Sequence, residues 1–230
     1  MSPTAIVKVD PTWPRHTMLE ALGGPAAVLR AGGTVAFPTE TVYGLGANAL
    51  DPVAVAKIFA AKGRPADNPL IVHIAHIGQL PSLARELPAS VHVLAQAFWP
   101  GPLTLVLPRS GLVPDIVTAG LDTVGIRMPS HPVASAIIER AGVPVAAPSA
   151  NASGRPSPTA ADHVRADLDG RIDVIVDGGP AGIGVESTVL ELAHEGAPTV
   201  LRPGGVSLEQ LRKVIPEVRT LDQFGGIDDV

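Results

Sequence analysis

Eight short apolar runs, each closed by glycine, proline or a polar residue, recur along this 230-residue chain and alternate with longer stretches of helical character. They are Thr34–Pro38, Leu70–Ala75, Leu103–Pro108, Thr123–Met128, Val143–Pro148, Ile172–Asp177, Ser187–Leu192 and Thr199–Arg202. Runs of this length and punctuation read as strands. The segments between them predict helices over Thr17–Arg30 (open to interruption at Gly23-Gly24-Pro25), Pro52–Ala61, Ala89–Phe98, His131–Arg140, Ala160–Leu168 and Leu208–Val214. Asp51-Pro52 and Ser157-Pro158 each have the form of an N-cap followed by a first-turn proline. Alternating strands and helices point to an α/β fold. The last two strands, joined by the polar turn His194–Pro198, read as a hairpin, which makes the sheet mixed. One domain is expected over residues 1–215, followed by a loosely ordered tail over 216–230, where periodicity is lost.

Composition removes several classes of function. With 17 basic and 22 acidic residues the formal net charge is -5, so no global field draws the chain onto nucleic acid or an anionic membrane. Cysteine is absent, which excludes thiolate nucleophiles, disulfides and Cys-ligated zinc. The N-terminus lacks a basic start followed by an apolar stretch, and no segment approaches the ~18 apolar residues of a membrane span. A soluble, cytoplasmic protein is the expectation. Hydrophobic residues make up 46% and aromatics 3%, so the core is built from aliphatic side chains.

Five motifs exceed what packing requires: FPTETVYGLG (37–46), KGRPADNPL (62–70), GIRMP (125–129), PSANASGRPS (148–157) and VESTVLEL (185–192). Each joins an apolar run to a polar turn, the arrangement by which strand ends offer amides, hydroxyls and cations to a small anionic ligand. Lys62 and Arg64 fall at a helix C-terminus, where cations also serve the macrodipole; Asn68 and the two flanking prolines stiffen the loop beyond that need. Ser149 and Asn151 follow a strand directly, as a ligand loop or as a polar turn. Arg127, in an otherwise apolar strand, suits a bidentate carboxylate clamp or a structural ion pair. His73 and His76 lack the spacing of paired metal ligands. The glycine-rich stretch 178–184 is compatible with simple hairpin geometry.

In their order, FPTETVYGLG, KGRP..NPL, PSAN and VESTV resemble the YrdC-like family, the threonylcarbamoyl-adenylate synthases, over about residues 17–215. The resemblance implies a single twisted, open α/β sheet flanked by helices, with a concave basic surface holding ATP beside threonine. It implies a nucleotidyltransferase that combines L-threonine, bicarbonate and ATP, with Mg2+ on the polyphosphate, into L-threonylcarbamoyl-AMP and pyrophosphate. The product would feed a transfer RNA modification completed by a separate threonylcarbamoyl-transferase protein, with room for a weak contact to the RNA itself. By the same resemblance Arg64, Asn68, Thr123, Ser149, Ser157 and Arg202 match ATP contacts. Thr41, His73, Arg127 and Ser187 match threonine contacts, and Ala147 matches a threonine-site position acting through its backbone. Lys62 joins Arg64 as a catalytic cation and Asn151 is added on the ATP side, with no protein-built metal site. Longer members carry a linker and a second C-terminal domain; ending at Val230, this chain resembles the short form or a shortened long one.

Two other readings remain at this level. A noncatalytic RNA-binding protein could use the same cationic surface, although the net charge and the scarcity of aromatics oppose it. A carbamoyl-adenylate-forming enzyme using carbamoyl phosphate is the other.

Overall fold

A computed structural model describes residues 3–193 and 196–221 of the chain. Its strands are β1 (Ala5–Lys8), β2 (Val35–Pro38), β3 (Tyr43–Asn48), β4 (Ile71–His73), β5 (Leu103–Pro108), β6 (Thr123–Arg127), β7 (Val145–Ala146), β8 (Val174–Asp177), β9 (Thr188–Glu191), β10 (Thr199–Arg202) and β11 (Arg219–Thr220). Its helices are α1 (Arg15–Ala21), α2 (Gly23–Arg30), α3 (Pro52–Lys62), α4 (Leu80–Leu83), α5 (Ala89–Phe98), α6 (Asp115–Thr118), α7 (Pro132–Ala141), α8 (Ala161–Leu168) and α9 (Leu208–Val214). The strands form one mixed sheet in the order β1-β8-β2-β3-β7-β4-β6-β5-β9-β10-β11.

All eight expected strands are present, several of them shorter than the apolar run that contains them. The hairpin of β9 and β10 is antiparallel, as expected; His194 and Glu195 of its expected turn lie outside the described residues. Three strands escaped the sequence reading. β3 follows β2 through a tight turn, so FPTETVYGLG is a hairpin and not a strand entering a loop. The edge strands β1 and β11 are short and one-sided, and β11 draws its residues from the segment expected as a tail. Residues 222–230 lie outside the described residues. The first predicted helix is two, broken at Leu22 just before the glycine pair.

Helix starts divide in the same way. Asp51 caps α3 as expected, accepting from the amides of Val53 and Ala54 at 2.9 and 3.2 Å. Ser157 caps nothing, because α8 begins only at Ala161. The segment between is held out of the helix: Pro158 O accepts from Tyr43 N and Thr159 O from Ala181 N, both at 2.8 Å. The Ser157 hydroxyl instead donates to Glu186.

Two apolar clusters lie on opposite faces of the sheet. On one face α3, α4, α5, α8 and α9 pack over Ala36, Ala146, Val72, Ile126, Leu105 and Leu190, which reach across most of its width. On the other, α1, α2 and α7 cover Val35, Phe37, Val145, Val174 and Val176, and no residue of β4, β5, β6 or β9 belongs to that cluster. The sheet is therefore covered twice at the β8-β2-β3-β7 end and once from β4 to β9. Because successive side chains alternate between faces, the face without helices presents every second residue of four adjacent strands to the loops around it.

Gly204, just after β10, holds the rim of that face in place. A Cβ there would stand 2.3 Å from Glu186 O, 2.5 Å from Ser187 C and 2.6 Å from Thr188 N, all backbone atoms unable to swing aside. Gly204→Ala is expected to destabilise the fold by about 1–3 kcal/mol, the usual range for overpacking, measured by denaturant unfolding. An unchanged midpoint would contradict this packing.

Candidate active site

The uncovered face is the floor of a cavity of about 450 Å³, within the range of roughly 300–1,000 Å³ typical of small-molecule sites. Ile71 and His73 of β4, Thr123, Gly125 and Arg127 of β6, and Thr104 and Val106 of β5 line it, with Ser187 and Val189 at β9. Their neighbours in each strand point into the opposite core. The walls are loops at strand and helix ends.

One wall begins where α3 stops. Gly63 takes the left-handed conformation (φ 60°) and ends the helix, and Arg64 then turns into the cavity together with Asn68. Its Nη2 donates to Asn68 O and Pro69 O at 3.3 and 3.4 Å, while its buried Nε has no partner. The facing wall is the chain leaving β7, where Ala147, Pro148 and Ser149 line the cavity. It is laid along β3 by bonds from Leu45 N to Pro148 O and from Ala150 N to Tyr43 O, both 2.8 Å.

A third wall is the turn between β2 and β3. The Thr39 hydroxyl donates to Val42 O at 2.6 Å and sits 2.9 Å from that of Thr41, which fixes the turn from within. Against it lies Arg127, 4% exposed. Its Nη2 donates to Glu40 Oε1 at 2.6 Å and to Thr41 Oγ1 at 3.1 Å, and its Nε to Gly101 O at 3.3 Å. No hydrogen bond engages its Nη1 among the described residues. Of the two alternatives that the sequence left for Arg127, the ion pair is formed, with Glu40, and the side chain also lines the cavity. The fourth wall holds Arg202, whose guanidinium grips Glu186 and reaches Ser187 O at 2.9 Å and Ser187 Oγ at 3.1 Å. Ser187 Oγ in turn pairs with Thr104 Oγ1 at 2.8 Å.

Of the residues singled out in the sequence, Arg64, Asn68, Thr123, Ser149, Arg202, Thr41, His73, Arg127, Ala147 and Ser187 share this one cavity. Lys62, Asn151 and Ser157 are not among its lining. Lys62 passes behind the Ser149 wall, its ammonium donating to Ser149 O and, at 2.5 Å, to Asn151 O. Asn151 turns its amide to Ala152 O and Arg155 O, leaving a buried Oδ1 without a partner. Ser157 reaches the site only through Glu186, at 3.2 Å.

The sequence reading passed over Glu40, Glu186, Thr39 and Thr104. Glu40 and Glu186 matter because each neutralises an arginine of the cavity. A lone carboxylate in the apolar FPTETV motif, with a lone arginine in the apolar GIRMP strand, was the available signal for the first pair.

His73 Nδ1 is buried without a partner. Burial, and after it the charge of Arg127, push this imidazole down to about 3, so it is neutral at pH 7. A histidine in the unfolded chain titrates near ~6.5. Below that value the unfolded state holds a proton that the folded state refuses, so stability falls as pH drops from about 6.5 toward about 3. His73→Asn is expected to make this acid limb shallower in denaturant unfolding followed from neutral to acid pH; an equally steep limb would show His73 to be uninvolved.

Among families, the Sua5/YciO/YrdC model, described as "Telomere recombination", matches residues 27–204. A Pyrococcus abyssi protein named threonylcarbamoyl-AMP synthase is 61% identical over 194 residues, 84% of this chain and 57% of that one. A Bacillus subtilis protein of the same name is 58% identical over 208 residues, 90% of this chain and 60% of that one. This chain therefore spans about three fifths of the length of these relatives. The crystal structure of P. abyssi Sua5 complexed with L-threonine superposes with a TM-score of 0.91 at 54% identity, over 99% of this chain and 65% of that one.

Proposed function

This chain belongs to the Sua5/YciO/YrdC family, and from that premise we propose that it joins L-threonine, bicarbonate and ATP into L-threonylcarbamoyl-AMP, releasing pyrophosphate. The observation that carries the reading is the single cavity that Arg64, Asn68, Ser149, Arg202, Thr41, His73, Arg127 and Ser187 line together. Relatives named for this reaction, and one crystallised with L-threonine, support the reading, in which Arg64, Asn68, Ser149 and Arg202 serve the nucleotide and Thr41, His73, Arg127 and Ser187 the amino acid.

The chemistry brings two anions together. The deprotonated amine of threonine adds to carbon dioxide, formed from bicarbonate with loss of hydroxide as water, and gives up a proton to become a carbamate; the carbamate oxygen then attacks the α-phosphorus as pyrophosphate leaves. Attack in line requires both reactants held in register, and positioning of this kind supplies up to ~7–11 kcal/mol of the barrier. Arg64 and Arg202 are the cations for the phosphates. Arg127, with Nη1 unengaged, is the anchor for the threonine carboxylate, and Glu40 and Thr41 hold its fork in plane. His73, held neutral by its burial, adds no charge beside Arg127. The residues themselves supply preorganised donors and no covalent nucleophile.

Magnesium enters this reading on the polyphosphate. No group of three or more His, Cys, Asp or Glu among the described residues could hold a metal, and a nucleotide-borne Mg2+ keeps most of its ligands from phosphate and water. Delivery of the adenylate to a transferase acting on transfer RNA is the consumption this product implies. No helix among the described residues is long and apolar enough to cross a membrane.

Purified protein with Mg-ATP is expected to release pyrophosphate only when threonine and bicarbonate are both present; release indifferent to the amino acid would refute the reading. Arg64→Ala should lower kcat/KM for ATP by roughly a hundredfold or more. Arg127→Lys should raise the KM for threonine about tenfold or more with a smaller change in kcat, since it keeps the charge but loses the planar fork. Equal effects on both substrates would argue against the assigned roles.

A further inference from the structure

The turn Lys62-Gly63-Arg64 sends its two cations in different directions. Arg64 lines the cavity, whereas Lys62, 3% exposed, runs behind it. There its ammonium donates to the carbonyls of Ser149 and Asn151, and the Lys62 carbonyl accepts from Ser153 N at 2.8 Å. Three hydrogen bonds thus tie the end of α3 to the loop leaving β7, one on each side of the cavity's cationic corner. A buried ammonium is tolerated only with such partners, and here the partners are the backbone of the very segment that presents Ser149.

We propose that Lys62 is a positioning residue: it locks the Ser149–Asn151 loop to the Arg64 turn and thereby sets the gap between the two walls, without touching the nucleotide. The inference rests on the nucleotide reading of the cavity. It separates Lys62 from Arg64, although the two stand together in the sequence as a basic pair. Burial first, then the like charge of Arg64, push the lysine down to about 8, with Glu186 and Asp167 opposing by less. The carbonyls that accept from the ammonium oppose that fall, and a polyphosphate in direct contact would raise the value further.

The wild-type protein supplies the first test. With 15N-labelled lysine, the Nζ of Lys62 is titrated by NMR with and without Mg-ATP. Its midpoint is expected to stay within about half a pH unit, and a rise of more than about one unit would mean direct phosphate contact. Lys62→Met supplies the second. Calorimetric affinities for Mg-ATP and for adenosine, which has no phosphate, are expected to fall together, by about tenfold, as the wall loosens. Amide exchange of residues 149–151 should quicken in the ligand-free variant. Loss for Mg-ATP alone, or unchanged affinity for both, overturns the proposal. If the wild type binds neither ligand, the nucleotide reading itself fails, and amide exchange alone then decides whether the lock exists. Should Lys62→Met not fold, the wild-type titration decides.

Discussion

A sheet face with no helices over it must be polar, be filled by a ligand, or pack against something else, and the site of this chain follows from that constraint. At the end of the sheet bearing β8, β2, β3 and β7, apolar side chains on both faces are covered. Across β4, β6, β5 and β9 only one face is. The other carries Ile71, His73, Gly125, Arg127, Thr104, Val106 and Ser187, a mixture of hydroxyls, a cation, an imidazole and short aliphatics that no core would assemble. A rigid floor of strands then lets loops supply the variable contacts. Precision comes from the sheet, because a strand residue cannot shift without disturbing the packed face beneath it.

Charge is arranged on this floor at some cost to stability. Arg127 is nearly inaccessible, and a guanidinium so desolvated persists because Glu40, Thr41 and Gly101 share its donors. Removing one partner of such a pair typically costs about 3–5 kcal/mol, since the other is stranded. That is why a lysine in place of Arg127 separates binding from folding better than an alanine does. Arg202 and Glu186 repeat the arrangement at the more exposed rim, where both side chains keep over a third of their surface, so that pair is cheaper to open. The two arginines thus differ in kind: one is a fixed feature of the floor, and the other holds its carboxylate in a solvent-accessible pair at the rim.

Much of this was written in the sequence at the level of elements. Strand runs ending in proline or glycine located the loops, and the Asp51-Pro52 and Gly63 signals bounded α3 because caps act through local geometry alone. What failed were features decided at a distance. Ser157-Pro158 has every local mark of a cap, yet hydrogen bonds from Tyr43 and Ala181 keep the next residues out of the helix. β1 and β11 are strands only because β8 and β10 offer an edge. Within the site, the alternation of Thr123, Gly125 and Arg127 on β6 and of Thr104 and Val106 on β5, which marks the uncovered face, was passed over, whereas Arg127 as the odd residue of an apolar strand was legible. Which carboxylate meets Arg127 was not, because Glu40 stands far from it along the chain and joins it only when β2 and β6 enter the same sheet.

The same dependence on long-range closure bears on how the site is contained. Every wall comes from residues between Thr39 and Arg202, inside the stretch of 27–204 that carries the family match. The ties between walls are internal as well: Lys62 to Ser149 and Asn151, Arg202 to Glu186 and Ser187, Arg127 to Glu40 and Thr41. Each tie joins segments distant in sequence, so the cavity forms as one unit with the sheet. Glycine at 204, pressed against the backbone of 186–188, extends that coupling to the chain leaving β10, which packs directly on the Glu186–Ser187 wall. Folding and assembly of the binding surface are in this sense one event.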